Sequence, residues 1–158
     1  MISTRIQVGD RIPHFRLPDQ KGEMIDSDNF IGQNLVIYFY PKDNTLGCTA
    51  EACAFRDQYT QFADAGAMVI GISSDTIESH LDFANEYGLP FILLSDLGGK
   101  LRKSFGVPYA FGFIPGRITY VVDKEGIVKH IYNSQMNFSN HSTEALEVIK
   151  EMSAEHAL

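Results

Sequence analysis

The two cysteines of the chain, Cys48 and Cys53, are the residues whose type and spacing most directly indicate chemistry. Cys48 follows a glycine-containing loop, residues 41–47, and stands where a helical pattern begins. The unpaired N–H groups and the dipole of a helix start favour negative charge. Together with a nearby cation, such a position lowers the pKa of a thiol from its usual value of about 8.5. Because the thiolate is the attacking species, the position suits a nucleophile.

The five-residue step between the two cysteines sets a geometric condition on any bond between them. In an intact α-helix this step is roughly 7.5 Å of rise and about 140° of rotation, which places the two Cα atoms about 8.7 Å apart. A disulfide needs Cα atoms within about 7 Å. The two thiols can therefore bond only if the first turns of the helix unwind, unlike a C-x-x-C pair, which closes with little movement.

Two other interpretations of the cysteines stay open at this point. Free cysteine is among the most buried residue types, so both thiols could be inert core residues. A zinc site is less favoured because four ligands are usual, and the five histidines are scattered without finger spacing near the pair. We therefore expect neither a metal nor another cofactor.

Length and composition limit the class of protein that holds these thiols. The chain has 158 residues, 44% hydrophobic and 21% charged, so we expect residues 1–158 to form one domain with a real core. A net charge of −7 argues against a general nucleic-acid surface and against docking on anionic lipid. We find no secretory pattern and no membrane-spanning apolar run, and we predict a cytoplasmic protein, in a compartment where thiols are kept reduced.

Strands and helices alternate along the chain around the cysteine pair. A short hairpin is predicted at 9–22. Strands are predicted at 35–40, 67–72, 91–94, 118–122 and 127–132. Helices are predicted at about 48–65, 97–104 and 142–153. A further helix is predicted between Asp75, which would cap its start, and Gly88, which would end it. The order β-α-β-α-β-β-α indicates an α/β protein with a thioredoxin-like fold, in which helices flank a mixed central β-sheet.

The residues around Cys48 carry a specific pattern. Residues 41–48, PKDNTLGC, have the form P-x₃-T-x₂-C, which resembles the active-site signature of the peroxiredoxins. The longer segment 39–57, FYPKDNTLGCTAEACAFRD, is similar to the peroxiredoxin Q subfamily, also called bacterioferritin comigratory proteins, and the cysteine spacing matches as well. The similarity extends over roughly residues 8–150, through VGDRIPHFRLPDQKG, GISSD, LLSD and RITYVVDKEG.

The resemblance implies a role for each matching residue. Cys48 would be the peroxidatic cysteine, and Cys53 would resolve its sulfenic acid as an intramolecular disulfide. Thr45 would bring its hydroxyl within reach of the sulfur and the peroxide, and Pro41 would shield the sulfur from water. Arg117 would stabilise the thiolate and the charge that develops as the O–O bond breaks. The residues expected to bind the peroxide are Thr45, Gly47, Cys48 and Arg117.

Structural explanations stay open for several of these residues. Thr45 could cap the helix, Pro41 could simply end the strand, and without the family Arg117 would be taken for a surface residue. Glu51 matches a subfamily glutamate that could hold an arginine, although an acid in the first helical turn needs no function. Leu46 departs from the subfamily, which commonly has proline there; leucine leaves the backbone less restricted.

The activity implied by the resemblance is that of an antioxidant enzyme. It would be a thiol-dependent peroxidase that reduces hydrogen peroxide and organic hydroperoxides with electrons from thioredoxin or a similar dithiol. We expect a monomer or a weak homodimer, with no nucleic-acid or membrane partner. Two alternatives are a thioredoxin-like disulfide reductase, weakened by the absence of C-x-x-C, and a non-catalytic sensor whose C-x₄-C pair reports peroxide to a partner protein. Residues 109–116, YAFGFIPG, are expected to form a loop that partly covers the core.

Overall fold

The computed structural model describes residues 5–110 and 114–156. The strands are β1 (Arg16–Pro18), β2 (Met24–Asp26), β3 (Asn34–Phe39), β4 (Ala67–Ser73), β5 (Ile92–Ser95), β6 (Tyr109–Ala110), β7 (Ile114–Pro115), β8 (Ile118–Val122) and β9 (Val128–Asn133). The α-helices are α1 (Leu46–Asp57), α2 (Tyr59–Asp64), α3 (Ile77–Tyr87), α4 (Lys100–Phe105) and α5 (Asn140–His156), and 3₁₀ turns lie at Ser27–Phe30 and Leu97–Gly99.

A five-stranded sheet in the order β5-β4-β3-β8-β9 forms the centre of the fold. β3 pairs in parallel with β4, and β4 with β5, whereas β8 is antiparallel to both β3 and β9. Helices connect the parallel strands and a tight turn connects the last two, as the alternating pattern predicts. The predicted mixed sheet and thioredoxin-like α/β fold are confirmed.

Strand β3 is buried along its whole length because layers of structure cover both faces of the sheet. Val36 and Tyr38 belong to an apolar cluster that includes residues of α1, α2, α3 and α5. Leu35 and Ile37 belong to a second cluster with α4 and the residues around β1 and β2. The uninterrupted apolar run in the sequence is the consequence of this double burial.

Helix α1 begins where the loop after β3 reverses the chain. Asn44 has a left-handed φ of 60°, and Thr45 is the extended residue that precedes the helix. The predicted single helix at 48–65 is in fact two, because Gln58 leaves the helical conformation between α1 and α2. Apolar spacing continues across the break, with Phe55 and Phe62 in the same cluster, so the pattern alone could not reveal it.

Three other local predictions differ from the structure. The hairpin expected at 9–22 is the β1–β2 pair, and Gly22 lies in its turn, with a φ of 83°, rather than at its end. Thr76, not Asp75, caps α3 by accepting the N–H of Ser79. Residues 109–116 were expected to be a loop, yet β6 and β7 pair there; residues 111–113 lie outside the described part.

Among the residues that the structure describes, none of the helices has both the length and the apolar character that crossing a membrane requires.

The anchor of α1 on the sheet is Phe55, which is fully buried and stacks on Tyr38 with ring centroids 4.5 Å apart. We expect Phe55→Ala to lower the free energy of unfolding by about 3–5 kcal/mol, since truncation leaves a cavity in a packed cluster. Leu46→Ala on the same helix, where the side chain is 88% exposed, should change it by less than about 0.5 kcal/mol. Urea denaturation followed by far-UV circular dichroism measures both; equal effects would show that α1 is not held through this contact.

Candidate active site

The sulfur of Cys48 lies in a closed pocket at the start of α1, with the residue only 1% exposed. Two donors point at Sγ: the backbone N–H of Lys42 and Nη1 of Arg117, each 3.5 Å away. The fold thus brings together two residues that stand 69 positions apart in the chain. Both donors favour negative charge on the sulfur.

Burial raises the pKa of the Cys48 thiol above its ordinary value. The Arg117 guanidinium and the Lys42 N–H lower this pKa, and the carboxyl group of Glu51 raises it further. The sequence predicted a lowered pKa from the helix start and a nearby cation. The helix start and the cation are both present, but the removal of the sulfur from water has the largest effect on the pKa. The buried arrangement therefore favours the neutral thiol, and the two hydrogen-bond donors reduce the free-energy cost of ionising it.

Arg117 is a buried residue, not a surface one, and several partners fix its guanidinium. Nη1 donates to Oε1 of Glu51 at 2.6 Å, and Nε donates to the carbonyl of Gln135 at 3.1 Å. The guanidinium also lies over the ring of Phe138, 4.9 Å from its centroid. Glu51 therefore does hold an arginine, and the same Nη1 faces both the carboxyl group and the Cys48 sulfur.

Burial raises the pKa of Glu51 to about 8, although the positive charge of Arg117 opposes the rise. Oε2 of Glu51 has no hydrogen-bond partner among the described residues and lies 3.6 Å from Nδ1 of His141. Burial lowers the pKa of His141 to about 4. Its Nε2 donates to the carbonyl of Ser134 and its Nδ1 accepts from the hydroxyl of Thr119. Both shifts favour the neutral forms of Glu51 and His141, which leaves Arg117 as the cation of this group.

Thr45 and Pro41 lie in the loop between β3 and α1, on the chain that leads to Cys48. The Thr45 side chain makes no cap hydrogen bond to α1; its hydroxyl donates to the carbonyl of Lys42 at 2.8 Å. The capping explanation of this residue is thus not what the structure shows. Pro41 is half-buried and follows β3 by two positions, which agrees with its expected effect as a strand terminator.

Gly47 allows the pocket to close. The residue is buried, and a Cβ atom built on it would collide with the ring of Phe138. That ring is the one that lies over Arg117. Any larger side chain at this position would therefore displace the cover of the guanidinium.

Asp43 anchors the same loop, although no motif in the sequence identified it. Its buried carboxylate accepts from the hydroxyls of Tyr40 and Ser79 and contacts Nδ1 of His80 at 2.7 Å. Nε2 of His80 faces the carbonyl of Leu94 at 3.0 Å. Since both ring nitrogens face atoms that only accept, a proton must lie in the Asp43–His80 contact. The one available signal was the position of His80 on the apolar face of α3.

Cys53 is half-buried and lies in the same helix, α1, as Cys48, and both thiols are free. The helix is continuous from Leu46 to Asp57. The structure therefore shows the arrangement with two free thiols, in which the five-residue helical step keeps the two cysteines too far apart to form a disulfide.

Two groups of side chains among the described residues have the donor atoms of a metal site. Asp43, Asp75 and His80 form one, and His14, Asp26 and Asp28 form the other. Hydrogen bonds already join the first group to the loop, and the second is largely exposed. Neither includes a cysteine.

Comparisons with known proteins agree on one family. The AhpC/TSA family profile matches residues 8–131. A chloroplastic peroxiredoxin Q of Sedum lineare is 49% identical over 152 residues, which are 96% of this chain and 82% of that protein. The chloroplastic peroxiredoxin Q of Oryza sativa subsp. japonica is 48% identical over 153 residues, 96% of this chain and 70% of that protein.

Solved structures give the same result. The PrxQ of Xylella fastidiosa, solved as a cysteine-to-serine mutant, has a TM-score of 0.88 and 28% identity and covers 95% of this chain and 99% of its own. The peroxidoxin BcpB of Mycobacterium tuberculosis has a TM-score of 0.86 and 32% identity, with 94% and 99% covered.

The cytoplasmic location predicted from the sequence is wrong by these comparisons. The plant relatives are named chloroplastic, which points to a plastid rather than to the cytoplasm. The sequence argument tested only for a secretory pattern and a membrane span, and neither feature distinguishes a cytoplasmic protein from a plastid one.

Glu51 and Cys48 share one positive charge, and this gives a prediction with a definite sign. As pH rises through about 8, Glu51 ionises and its charge disfavours the Cys48 thiolate. Glu51→Gln keeps an acceptor for Arg117 but cannot ionise. We expect Cys48 in this variant to alkylate at the wild-type rate at pH 6 and roughly tenfold faster at pH 9, since a like charge nearby raises a pKa by about 1.

The measurement is the iodoacetamide reaction at Cys48, followed by mass spectrometry from pH 6 to pH 10. Glu78→Gln, an exposed acid at the start of α3, is the matched control and should follow the wild-type profile. A ratio of Glu51→Gln to wild type that does not change with pH would contradict the role assigned to the Glu51 charge.

Proposed function

The chain belongs to the AhpC/TSA family, in its peroxiredoxin Q subfamily, and is a thiol peroxidase, an oxidoreductase; we propose that Cys48 attacks the hydroperoxide and that Cys53 resolves the product. The observation that carries this proposal is the pair of donors aimed at the buried Cys48 sulfur. Such donors stabilise a thiolate and the charge of a breaking O–O bond in a site from which water is excluded.

In the first step the Cys48 thiolate forms a bond to one peroxide oxygen, and the O–O bond breaks. The sulfur becomes a sulfenic acid, and the departing oxygen takes a proton to leave as water or an alcohol. Arg117 stabilises the negative charge as it moves from sulfur to the leaving oxygen. The Thr45 hydroxyl already donates its hydrogen to the Lys42 carbonyl, so its oxygen is free to accept the peroxide hydrogen and orient the substrate.

The residues that surround the Cys48 sulfur and the Arg117 guanidinium are expected to control how closely a peroxide and water can approach. Gly47 contributes backbone without a side chain, and Pro41 adds an apolar wall without an N–H group. The ring of Phe138 covers the guanidinium of Arg117. Together these residues keep the charged groups poorly hydrated, which strengthens their effect on the reacting atoms.

In the second step the Cys53 thiol attacks the sulfur of the sulfenic acid, water leaves, and an intramolecular disulfide forms. The continuous helix α1 has to unwind for this step, because of the distance that a five-residue helical step imposes. A dithiol of the thioredoxin type then reduces the disulfide and restores both thiols. We further propose that residues 1–158 form a single thioredoxin-like domain that acts as a monomer or a weak homodimer.

The cysteine variants test the assignment of the two thiols. Cys48→Ser should abolish peroxidase turnover, because a serine hydroxyl is not ionised near neutral pH. Cys53→Ser should keep one oxidation of Cys48 per chain and lose turnover with thioredoxin. Thioredoxin oxidation at substoichiometric enzyme measures turnover, and a dimedone adduct at Cys48 detects the sulfenic acid. Turnover of Cys48→Ser at the wild-type rate would refute the assignment of Cys48 as the nucleophile. If the wild-type protein itself shows no turnover, the result would favour the alternative of a non-catalytic peroxide sensor.

Hydrogen exchange tests the unwinding. In the reduced protein we expect amides of residues 46–56 to be protected, and after one equivalent of peroxide to exchange at least tenfold faster. Each hydrogen bond lost costs only about 0.5–1.5 kcal/mol net, which formation of the covalent bond can offset. Strands β3 and β4 should stay protected and serve as the internal control. Equal protection of residues 46–56 in both states, with a Cys48–Cys53 bond found by mass spectrometry, would mean that the unwinding argument fails.

A further inference from the structure

Arg102 is a buried arginine outside the residues assigned to the reaction. It lies in α4 and is only 3% exposed. Nη1 donates to the carbonyl of Gly116, and Nη2 donates to the carbonyl of Tyr40, each at 3.1 Å. The guanidinium also lies 5.7 Å from the centroid of the Phe39 ring. A planar fork of donors therefore joins two backbone segments that are distant in sequence.

The two carbonyl groups are significant because each belongs to a residue that directly precedes part of the site. Tyr40 precedes Pro41 and opens the loop that carries Thr45 and leads to Cys48. Gly116 is the residue before Arg117. A single side chain thus sets the separation of the segment that holds the sulfur from the segment that holds the cation facing it.

The charge of Arg102 is not used in an ion pair within residues 5–110 and 114–156, where both its bonded partners are neutral carbonyls. The titratable groups that face it are Asp96, Tyr109, Tyr120 and Cys48. The oxygens of Asp96 accept the backbone N–H groups of Leu101 and Arg102 itself. Burial lowers the pKa of Arg102, but a guanidinium stays protonated in proteins. A buried cation is costly, so its retention here needs a reason.

We propose that Arg102 is a positioning residue of the peroxidase reaction, holding the Tyr40 and Gly116 segments in register and thereby setting the distance between Arg117 and the Cys48 sulfur. The inference rests on the proposed function of Cys48 and Arg117. Arg102 acts through the backbone, since its hydrogen bonds go to the two carbonyls and not to the sulfur.

Two substitutions remove the fork to different degrees. Arg102→Lys keeps the charge, but one ammonium group cannot reproduce a fork that spans two carbonyls. Arg102→Met removes both the fork and the charge. Lys103→Met, at the exposed neighbouring position of the same helix, is the matched control. Far-UV circular dichroism and thermal unfolding establish which variants are folded.

The two readouts are the second-order rate of Cys48 oxidation by hydrogen peroxide and the pH profile of Cys48 alkylation. We expect Arg102→Lys to lose about tenfold in the peroxide rate through misplacement of the reacting groups, with the apparent pKa of Cys48 raised because Arg117 is no longer held at the sulfur. Arg102→Met should lose about a hundredfold, with the apparent pKa of Cys48 raised by about 1. Lys103→Met should stay within about twofold of wild type in both readouts.

Wild-type values in both readouts for the two Arg102 variants overturn the inference. If Arg102→Met does not fold, Arg102→Lys decides alone: a peroxide rate within twofold of wild type refutes the positioning role, and a tenfold loss with a raised apparent pKa of Cys48 supports it. Arg117→Met and Cys48→Ser are measured alongside. A slow Arg117→Met with unaffected Arg102 variants refutes only the positioning role of Arg102, whereas a wild-type rate in Cys48→Ser refutes the proposed function itself.

Discussion

One buried positive charge, that of Arg117, organises the site. The same nitrogen faces the Cys48 sulfur and the Glu51 carboxyl group, and two acids that share one cation cannot both ionise easily in a place closed to water. The pairing of β3 with β8 creates this arrangement. Phe39 and Ile118 are opposite each other in the sheet. The chain leaving β3 and the chain entering β8 therefore meet at the same end of the strands, where Arg117 reaches the start of α1.

The rest of the fold holds that edge in place. Asp43 and His80 tie the loop after β3 to α3, while Gln135 holds the arginine from the segment before α5. The Asp43–His80 contact is buried, where the loss of one partner costs far more than the bond contributes net. The donors around the Cys48 sulfur are thus held in fixed positions before any substrate arrives, which is the arrangement that electrostatic catalysis requires.

The sequence predicted the features that depend on local pattern. The apolar run at 35–40 and the P-x₃-T-x₂-C phrase led to the buried strand, the fold and the family. It could not predict Asp43 and His80 as partners, the orphaned oxygen of Glu51 or the reach of Arg102, because each depends on residues brought together only by the fold. The raised pKa of Cys48 was missed for the same reason: the helix start is visible in the sequence, but the depth of burial is not.

The break at Gln58 and the anchor at Phe55 have a consequence for the proposed cycle, in which α1 unwinds on oxidation and reforms on reduction. Starting a helix in solution is unfavourable because several residues must be fixed for the first hydrogen bond, whereas adding a residue to an existing turn is easy. The last turn of α1 lies beyond Cys53 and is packed on Tyr38 through Phe55, so it can persist when the turns before it are lost. Reformation of the helix then proceeds by elongation, at about nanoseconds per residue, and the pace of the cycle is left to the chemistry at sulfur and to the arrival of the reductant.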